Sequence, residues 1–152
     1  MSTTIKITIK GEPKGKQRPR TTLRKGFVKT YTPEDTLNYE SRVIMEYRQH
    51  YGAMFIEPHQ EIWATIIAYF SIPKQFYKFY KKEQQTRLNK QGQEMLSGEI
   101  NPTKTPDCDN IAKICLDALN GIAYPDDSQI TTLLVIKKYS DEPRVEIILE
   151  GR

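Results

Sequence analysis

A nine-residue apolar stretch occupies the middle of the sequence: Ile62-Trp63-Ala64-Thr65-Ile66-Ile67-Ala68-Tyr69-Phe70. Its β-branched and aromatic side chains predict a central β-strand that is buried on both faces. Residues 4–10 alternate polar and apolar side chains and predict a half-buried strand. A short strand is expected at 27–31. Two longer ones are expected at 130–139 and 144–150, joined by a turn into an antiparallel hairpin.

Three helices are expected between and beside these strands. The first begins near Thr32-Pro33-Glu34-Asp35, with Leu37, Ile44, Tyr47 and Tyr51 at near-helical spacing up to Gly52. A basic helix is expected at 74–90, and an amphipathic helix at 110–119 that ends at Asn120-Gly121. Residues 11–26 and 91–105 are expected to be loops. Because helices and strands do not alternate strictly, we predict one α+β domain over residues 1–152, with a small mixed sheet of about four strands and about three helices.

Composition restricts the class of protein. The chain has 152 residues, of which 38% are hydrophobic and 28% charged, so one globular domain with a real core is expected. No run of about 18 apolar residues is present, and no membrane span is expected. The two cysteines, Cys108 and Cys115, are too few for a disulfide framework, so reduced thiols and a cytoplasmic location are expected.

The charges are distributed unevenly along the chain. The net charge is only +4, yet eight of the 23 basic residues lie between Lys10 and Lys29 and six more between Lys74 and Lys90. Five of the seven aspartates lie between Asp107 and Asp127. This separation predicts two surfaces that bind an anion and one that holds a divalent cation.

The segment expected to carry chemistry is Thr105-Pro106-Asp107-Cys108-Asp109-Asn110-Ile111-Ala112-Lys113. Asp107 and Asp109 are expected in an extended segment after Pro106, where their side chains point the same way, with Asp109 as a helix N-cap and Lys113 one turn later. Folding is expected to return Asp126-Asp127 to this pair. Carboxylates without histidine or thiolate suit Mg²⁺ or Mn²⁺, and a neighbouring lysine can stabilise developing charge on a phosphate. The pattern therefore indicates a metal-dependent phosphodiesterase.

Simpler explanations exist for each of these features. An Asp-x-Asp before a helix commonly caps and solvates it, and Asp126-Asp127 is also compatible with an ordinary turn. Asp117 lies four residues after Lys113 and fits an ion-pair partner better than a metal ligand. A run of positive charge is often only a solvated surface, although a phosphodiester substrate would explain the cationic stretches and the acidic cluster together.

The combined motifs resemble the RusA family of Holliday-junction resolvases. They are Pro106-Asp107-Cys108-Asp109-Asn110-x-x-Lys113, Asp117-Ala118-Leu119-Asn120-Gly121, Tyr124-x-Asp126-Asp127-Ser128-Gln129-Ile130 and Gly11-x-Pro13-x-x-Lys16-x-Arg18-Pro19-Arg20. The resemblance implies a homodimeric, Mg²⁺-dependent endonuclease, typically encoded by phages or prophages, that nicks four-way DNA junctions symmetrically. It implies Asp107, Asp109 and Asp127 as essential acids, Lys113 as the active-site lysine, and Asp126 as a ligand or supporting group.

The resulting hypothesis is a phosphodiesterase that acts on branched DNA. Its expected DNA-binding residues are Lys14, Lys16, Arg18, Arg20, Lys74 and Lys78. Two alternatives stay open: a non-catalytic nucleic-acid-binding phage protein, and a nuclease that acts on flaps or ordinary duplex DNA.

Overall fold

Residues 2–152, which the computed structural model describes, form eight β-strands and three α-helices. Their chain order is β1 (Thr3–Lys10), β2 (Arg20–Arg24), β3 (Phe27–Tyr31), α1 (Glu34–Tyr51), β4 (Ile62–Ser71), β5 (Tyr77–Tyr80), β6 (Gln85–Leu88), α2 (Lys90–Ser97), α3 (Cys108–Leu119), β7 (Ile130–Ser140) and β8 (Arg144–Gly151). Four strands form a mixed sheet in the order β1-β8-β4-β7. The predicted α+β class is therefore confirmed.

The pairing of the last two strands differs from the prediction. β8 runs antiparallel to β1 and to β4, whereas β7 runs parallel to β4 on its other side. β7 and β8 are thus not a hairpin, because β4 lies between them. Strand β4 is the most apolar strand of the sheet. An interior position suits it because both of its edges are then hydrogen-bonded to neighbouring strands. The parallel pairing is possible because the long segment with α2 and α3 connects β4 to β7.

Helices α1 and α3 cover one face of the sheet, and α2 lies against the edge strand β7. In β4, Ile62, Ala64, Ile66, Ala68 and Phe70 are buried, while the residues between them are half-buried or exposed. The buried side chains form one core with α1, α3, and the inward residues of β1 and β8. The prediction that β4 is buried on both faces is wrong, since α1 and α3 pack on the same side.

Helix α1 is close to the predicted range, and Ile44, Tyr47 and Tyr51 of the predicted spacing pack on the core. It follows Pro33, which occupies the N-cap position without a side-chain hydrogen bond, and it ends before Gly52, whose φ is +59°. Its buried residues are Thr36, Tyr39, Val43 and Tyr47. Leu37, which was expected in the core, is 50% exposed.

Residues 74–90 do not form the predicted basic helix. After a short 3-10 turn at Lys74–Phe76, β5 and β6 form an antiparallel hairpin with its turn at 81–84. α2 then begins where a loop was expected, because the Asn89 side chain accepts a hydrogen bond from the Gly92 N–H and caps it. Tyr77 and Phe79 alternate with Lys78, and this two-residue period is typical of a strand. The helical interpretation overlooked it.

The predicted loop at 11–26 also contains a strand, β2, which pairs with β3 in a separate two-stranded hairpin. This hairpin projects from the sheet, since all ten of its strand residues are exposed. None of the helices formed by residues 2–152 is long and apolar enough to cross a membrane.

Candidate active site

Two of the predicted acids lie at the start of α3. Asp107 occupies the N-cap position with an extended backbone, φ −74° and ψ 157°, and Asp109 lies in the first helical turn. The helix begins at Cys108, two residues earlier than predicted, because Pro106 restricts only the residue before it. Asp109 is therefore not the N-cap, and the expected extended alternation of the two acids is wrong. Both carboxylates are exposed at the positive end of the helix dipole.

Lys113 and Asp117 follow Asp109 at successive four-residue steps along α3. Lys113 is exposed, and within residues 2–152 no ion pair engages its ammonium group. Asp117 lies two turns after Asp109, about 12 Å along the axis at 1.5 Å per residue. One side of α3 thus carries acid, base and acid in sequence.

Asp126 and Asp127 lie in the connection that precedes β7. Asp126 caps a short 3-10 turn at Asp127–Gln129 by accepting hydrogen bonds from the Ser128 hydroxyl at 2.9 Å and the Ser128 N–H at 3.5 Å. These bonds lower the pKa of Asp126. The pKa of Asp127 is raised by a hydrogen bond shared with Asp126, by partial desolvation, and by repulsion from Asp126 and Asp117. The turn explanation of this pair is therefore confirmed for Asp126.

The four predicted metal ligands do not form one closed cluster. Across residues 2–152, no three side chains of His, Cys, Asp or Glu are close enough together to hold a metal ion. The acids that affect the pKa of Asp127 are Asp126 and Asp117 rather than the pair at the start of α3. The donor chemistry nevertheless fits a hard cation, because Asp107, Asp109 and Asp127 all offer exposed carboxylate oxygens.

A segment before β2, residues 13–17, packs on the start of α3; we call it the N-terminal arm. The Lys16 N–H donates to the Asn110 carbonyl oxygen at 2.9 Å. A Cβ placed on Gly15 would lie 2.7 Å from the Pro106 Cβ and 3.0 Å from the Asn110 Cβ, so only glycine permits this approach. The arm and the α3 start enclose a cleft of about 340 Å³ that Lys14 and Asp107 both line.

The side chain of Lys16 does not extend into solvent. Its ammonium group forms ion pairs with Glu40 on α1 and, at 3.3 Å, with Asp117 on α3. Burial alone would lower the pKa of Lys16, but hydrogen bonds and charge from these two carboxylates raise it above the ordinary value. Lys16 thus connects the arm to both helices. Asp117 is an ion-pair partner, as the sequence indicated, but it pairs with Lys16 and not with Lys113 four residues before it. No spacing in the sequence pointed to Glu40.

The other predicted DNA-binding cations are exposed. Lys14, Arg18 and Arg20 lie on the arm and at the base of the β2–β3 hairpin. Lys74 precedes β5 and Lys78 lies within it.

Two of the basic residues noted between Lys74 and Lys90 meet in the β5–β6 hairpin. Lys78 lies directly opposite Arg87, although like charges in this position repel each other. The Tyr80 ring offsets part of this repulsion, with the Lys78 Nζ 5.7 Å and the Arg87 Cζ 4.0 Å from the ring centre.

Comparison with known proteins identifies the class. The family model described as "Endodeoxyribonuclease RusA" matches residues 10–150. The chain therefore belongs to the RusA family of endodeoxyribonucleases, and the resemblance noted in the sequence is confirmed. One relative is 34% identical over 145 residues, 95% of this chain and 94% of its own length: a Bacillus subtilis (strain 168) protein described as "Uncharacterized protein YqaN".

Proposed function

We propose that this protein is a divalent-metal-dependent endonuclease that resolves four-way DNA junctions by paired symmetric nicks. The observation that carries the proposal is the start of α3, where exposed Asp107 lines a cleft together with Lys14 and exposed Asp109 precedes Lys113 by one turn. Within a family of endodeoxyribonucleases, this arrangement of acids and cations suits a phosphodiester substrate. Because the proposed substrate is DNA inside the cell, we propose that the protein is located in the cytoplasm.

Asp107, Asp109 and Asp127 are the proposed ligands of Mg²⁺, or of Mn²⁺. When bound, such an ion polarises a phosphoryl oxygen and favours ionisation of water. These acids are not grouped in the structure, so the Asp127 turn would have to lie closer to the start of α3 for all three to hold one ion. Asp126 is proposed mainly to hold that turn, since its carboxylate already accepts hydrogen bonds from Ser128.

Lys113 is proposed to stabilise negative charge that develops on the phosphate. Its exposed ammonium group lies one helical turn from Asp109 and is not engaged by an acid within residues 2–152. A fixed cation beside a developing oxyanion stabilises the transition state more than the ground state. Lys113 therefore contributes to cleavage rather than to DNA affinity.

The exposed cations Lys14, Arg18 and Arg20 are proposed to bind the phosphate backbone beside the cleft, and Lys74 and Lys78 to bind it further away. Such contacts neutralise phosphates without reading sequence, so affinity is expected to fall steeply with salt. Lys16 is assigned a structural role instead of DNA binding. Because Glu40 and Asp117 engage it, it holds the arm in position.

A homodimer is part of the proposal, and the face of the sheet opposite α1 and α3 supports it. The outward side chains of β4, β7 and β8 include five large apolar residues that are half-buried or exposed: Trp63, Ile67, Leu134, Ile136 and Ile148. The apolar centre of this face is suited to pack on a second copy, whereas Lys138, Glu146 and Glu150 place charge around it. Two active sites related by a two-fold axis can then cut strands of like polarity in a junction.

The experiment compares cleavage and binding by an Asp107→Asn variant. With a labelled four-way junction in Mg²⁺, we expect the cleavage rate to fall at least about 100-fold, because loss of a ligand removes metal-derived transition-state stabilisation worth several kcal/mol. Binding in EDTA should stay within about threefold. The matched control is Asp141→Asn, an exposed acid in the turn before β8. Retained cleavage by Asp107→Asn would eliminate the proposed site.

The two alternatives are tested with the same protein and three substrates. A labelled four-way junction, a fork and a linear duplex are each incubated with Mg²⁺ and with EDTA. The proposal predicts Mg²⁺-dependent nicks at symmetric positions in the junction. Preferential cutting of the fork or duplex supports the flap or duplex nuclease, and binding without any cleavage supports the non-catalytic protein.

A further inference from the structure

The β2–β3 hairpin has features that the proposed active site does not use. Its strands are joined by Lys25-Gly26, both with positive φ, 51° and 78°, as a tight two-residue hairpin turn requires. Arg24 lies opposite Phe27, and Leu23 lies opposite Val28, so the tip ends in two adjacent cross-strand pairs. An isolated two-stranded hairpin has little stability of its own. We therefore expect this hairpin to be stabilised by contact with a binding partner.

The tip of this hairpin exposes large apolar side chains. Phe27 is 79% exposed, Leu23 76% and Val28 68%, the first two being the most exposed large hydrophobic residues in the described part of the chain. Because opposite residues in the register share a face, Leu23 and Val28 point to one side and Phe27 to the other. The tip therefore has one apolar face, formed by Leu23 and Val28, and an opposite face on which Phe27 lies beside Arg24.

The charge of the same segment defines the partner. From Pro13 to Pro33 the sequence contains seven Lys or Arg residues and no Asp or Glu. Arg20, Arg24 and Lys29 lie on the hairpin face that also carries Phe27 and Tyr31. The hairpin of a second copy would bring like charges together, whereas nucleic acid offers phosphates to the cations and base faces to the apolar tip. Branched DNA fits best, because the strands change partners at a branch point, so opening the stack there interrupts no continuous duplex.

We propose that the β2–β3 hairpin inserts its tip into the base stack of branched DNA, with Phe27 stacked on a base and Leu23 and Val28 against its neighbours. The inference rests on the proposed function, because it assumes a branched-DNA substrate. It specifies in addition that the hairpin contacts the bases at the branch point. The cations along the hairpin bind the flanking phosphates, and the apolar tip separates the bases. Insertion of apolar side chains between base steps is a general way for proteins to open or bend DNA.

The test uses a four-way junction that carries 2-aminopurine at the branch point, in Ca²⁺ or EDTA so that it is not cleaved. Wild-type protein is expected to raise the 2-aminopurine fluorescence severalfold, because unstacking relieves quenching. Phe27→Ala combined with Leu23→Ala is expected to abolish this rise and to weaken binding about 10-fold, the range found when a stacked aromatic is truncated. Phe55→Ala is the matched control: Phe55 is also exposed, at 45%, and lies outside the basic segment.

The outcomes separate this inference from the function on which it rests. Melting temperatures should be equal for all proteins, because the mutated side chains are exposed. Normal junction cleavage with an unchanged fluorescence rise in the double variant would overturn the inference alone. Failure of wild-type protein to bind or cleave any branched DNA would overturn both. A change from dimer to monomer in the double variant would show that the tip contacts a second copy, which also overturns the inference.

Discussion

The ion pairs of Lys16 permit a quantitative test of how the arm is held on α3. Lys16→Met removes the ammonium group but keeps most of the side-chain volume. The lysine side chain is 20% exposed, and those of Glu40 and Asp117 are 18% and 33% exposed. The substitution leaves two partly buried carboxylates facing each other without the cation that lies between them.

The expected loss of stability lies between two limits. An exposed ion pair contributes about 0.2–1 kcal/mol, and removal of one partner from a fully buried pair costs about 3–5 kcal/mol. For this half-buried group we expect a decrease of about 2 kcal/mol in the free energy of unfolding. For a domain of this size, that corresponds to a melting temperature about 4–8 °C lower.

The assay is equilibrium unfolding in urea near neutral pH, with Lys14→Met as the matched control. Lys14 is exposed and precedes Lys16 by two residues, so its substitution should change stability by less than about 0.5 kcal/mol. Adding Glu40→Gln to Lys16→Met should restore part of the loss, because one unpaired carboxylate is removed. Equal stabilities of Lys16→Met and Lys14→Met would refute the proposed anchoring.

The pH dependence of this difference follows from the pKa of Lys16. Because the folded protein raises that pKa above the ordinary 10.5, the ion-pair contribution is complete below pH 10.5. It is lost as the pH rises through the folded-state pKa. The stability gap between wild type and Lys16→Met should therefore persist at pH 9 and close only under more alkaline conditions.

Three further predictions concern separate parts of the molecule. Gly15→Ala should cost about 1–3 kcal/mol in urea unfolding, because the new Cβ would lie 2.7 Å from the Pro106 Cβ; unchanged stability would show that the arm does not pack there. A thiol reagent at pH 8 should label Cys108 in the native protein and Cys115 only after unfolding, because burial raises the pKa of Cys115 to about 12; two rapidly reacting native thiols would contradict the fold. Leu134→Lys should convert a dimer to a monomer in analytical ultracentrifugation without lowering the melting temperature, since Leu134 is 51% exposed; an unchanged dimer mass would reject this face as the interface.

Elements with a clear local period were predictable from the sequence. Ile5, Ile7 and Ile9 alternate in β1 and face the core, and Ile111 and Cys115 repeat helically in α3. Strand pairing was not predictable in the same way. The last two strands are joined by a short turn, but β4 separates them because partner choice depends on the whole sheet rather than on the connection.

The site was predictable in its residue types and only partly in its geometry. Asp107 and Lys113 lie on or beside α3 as expected, but the helix begins early enough to include Asp109. The engagement of Lys16 could not be predicted, since Glu40 and Asp117 come from two different helices that only the tertiary fold brings together. A local pattern indicates which side chains are available for chemistry, whereas their partners are set by packing.

The central claim is that acids from distant parts of the chain act on one ion. It is tested most directly by a double-mutant cycle of single-turnover junction cleavage in Mg²⁺, with Asp107→Asn, Asp127→Asn and the double variant. If the two carboxylates serve the same ion, each single variant should lose most of the activity and the double variant should be no slower than the slower single one. Independent effects that multiply in the double variant, or normal cleavage by Asp127→Asn, would contradict the account.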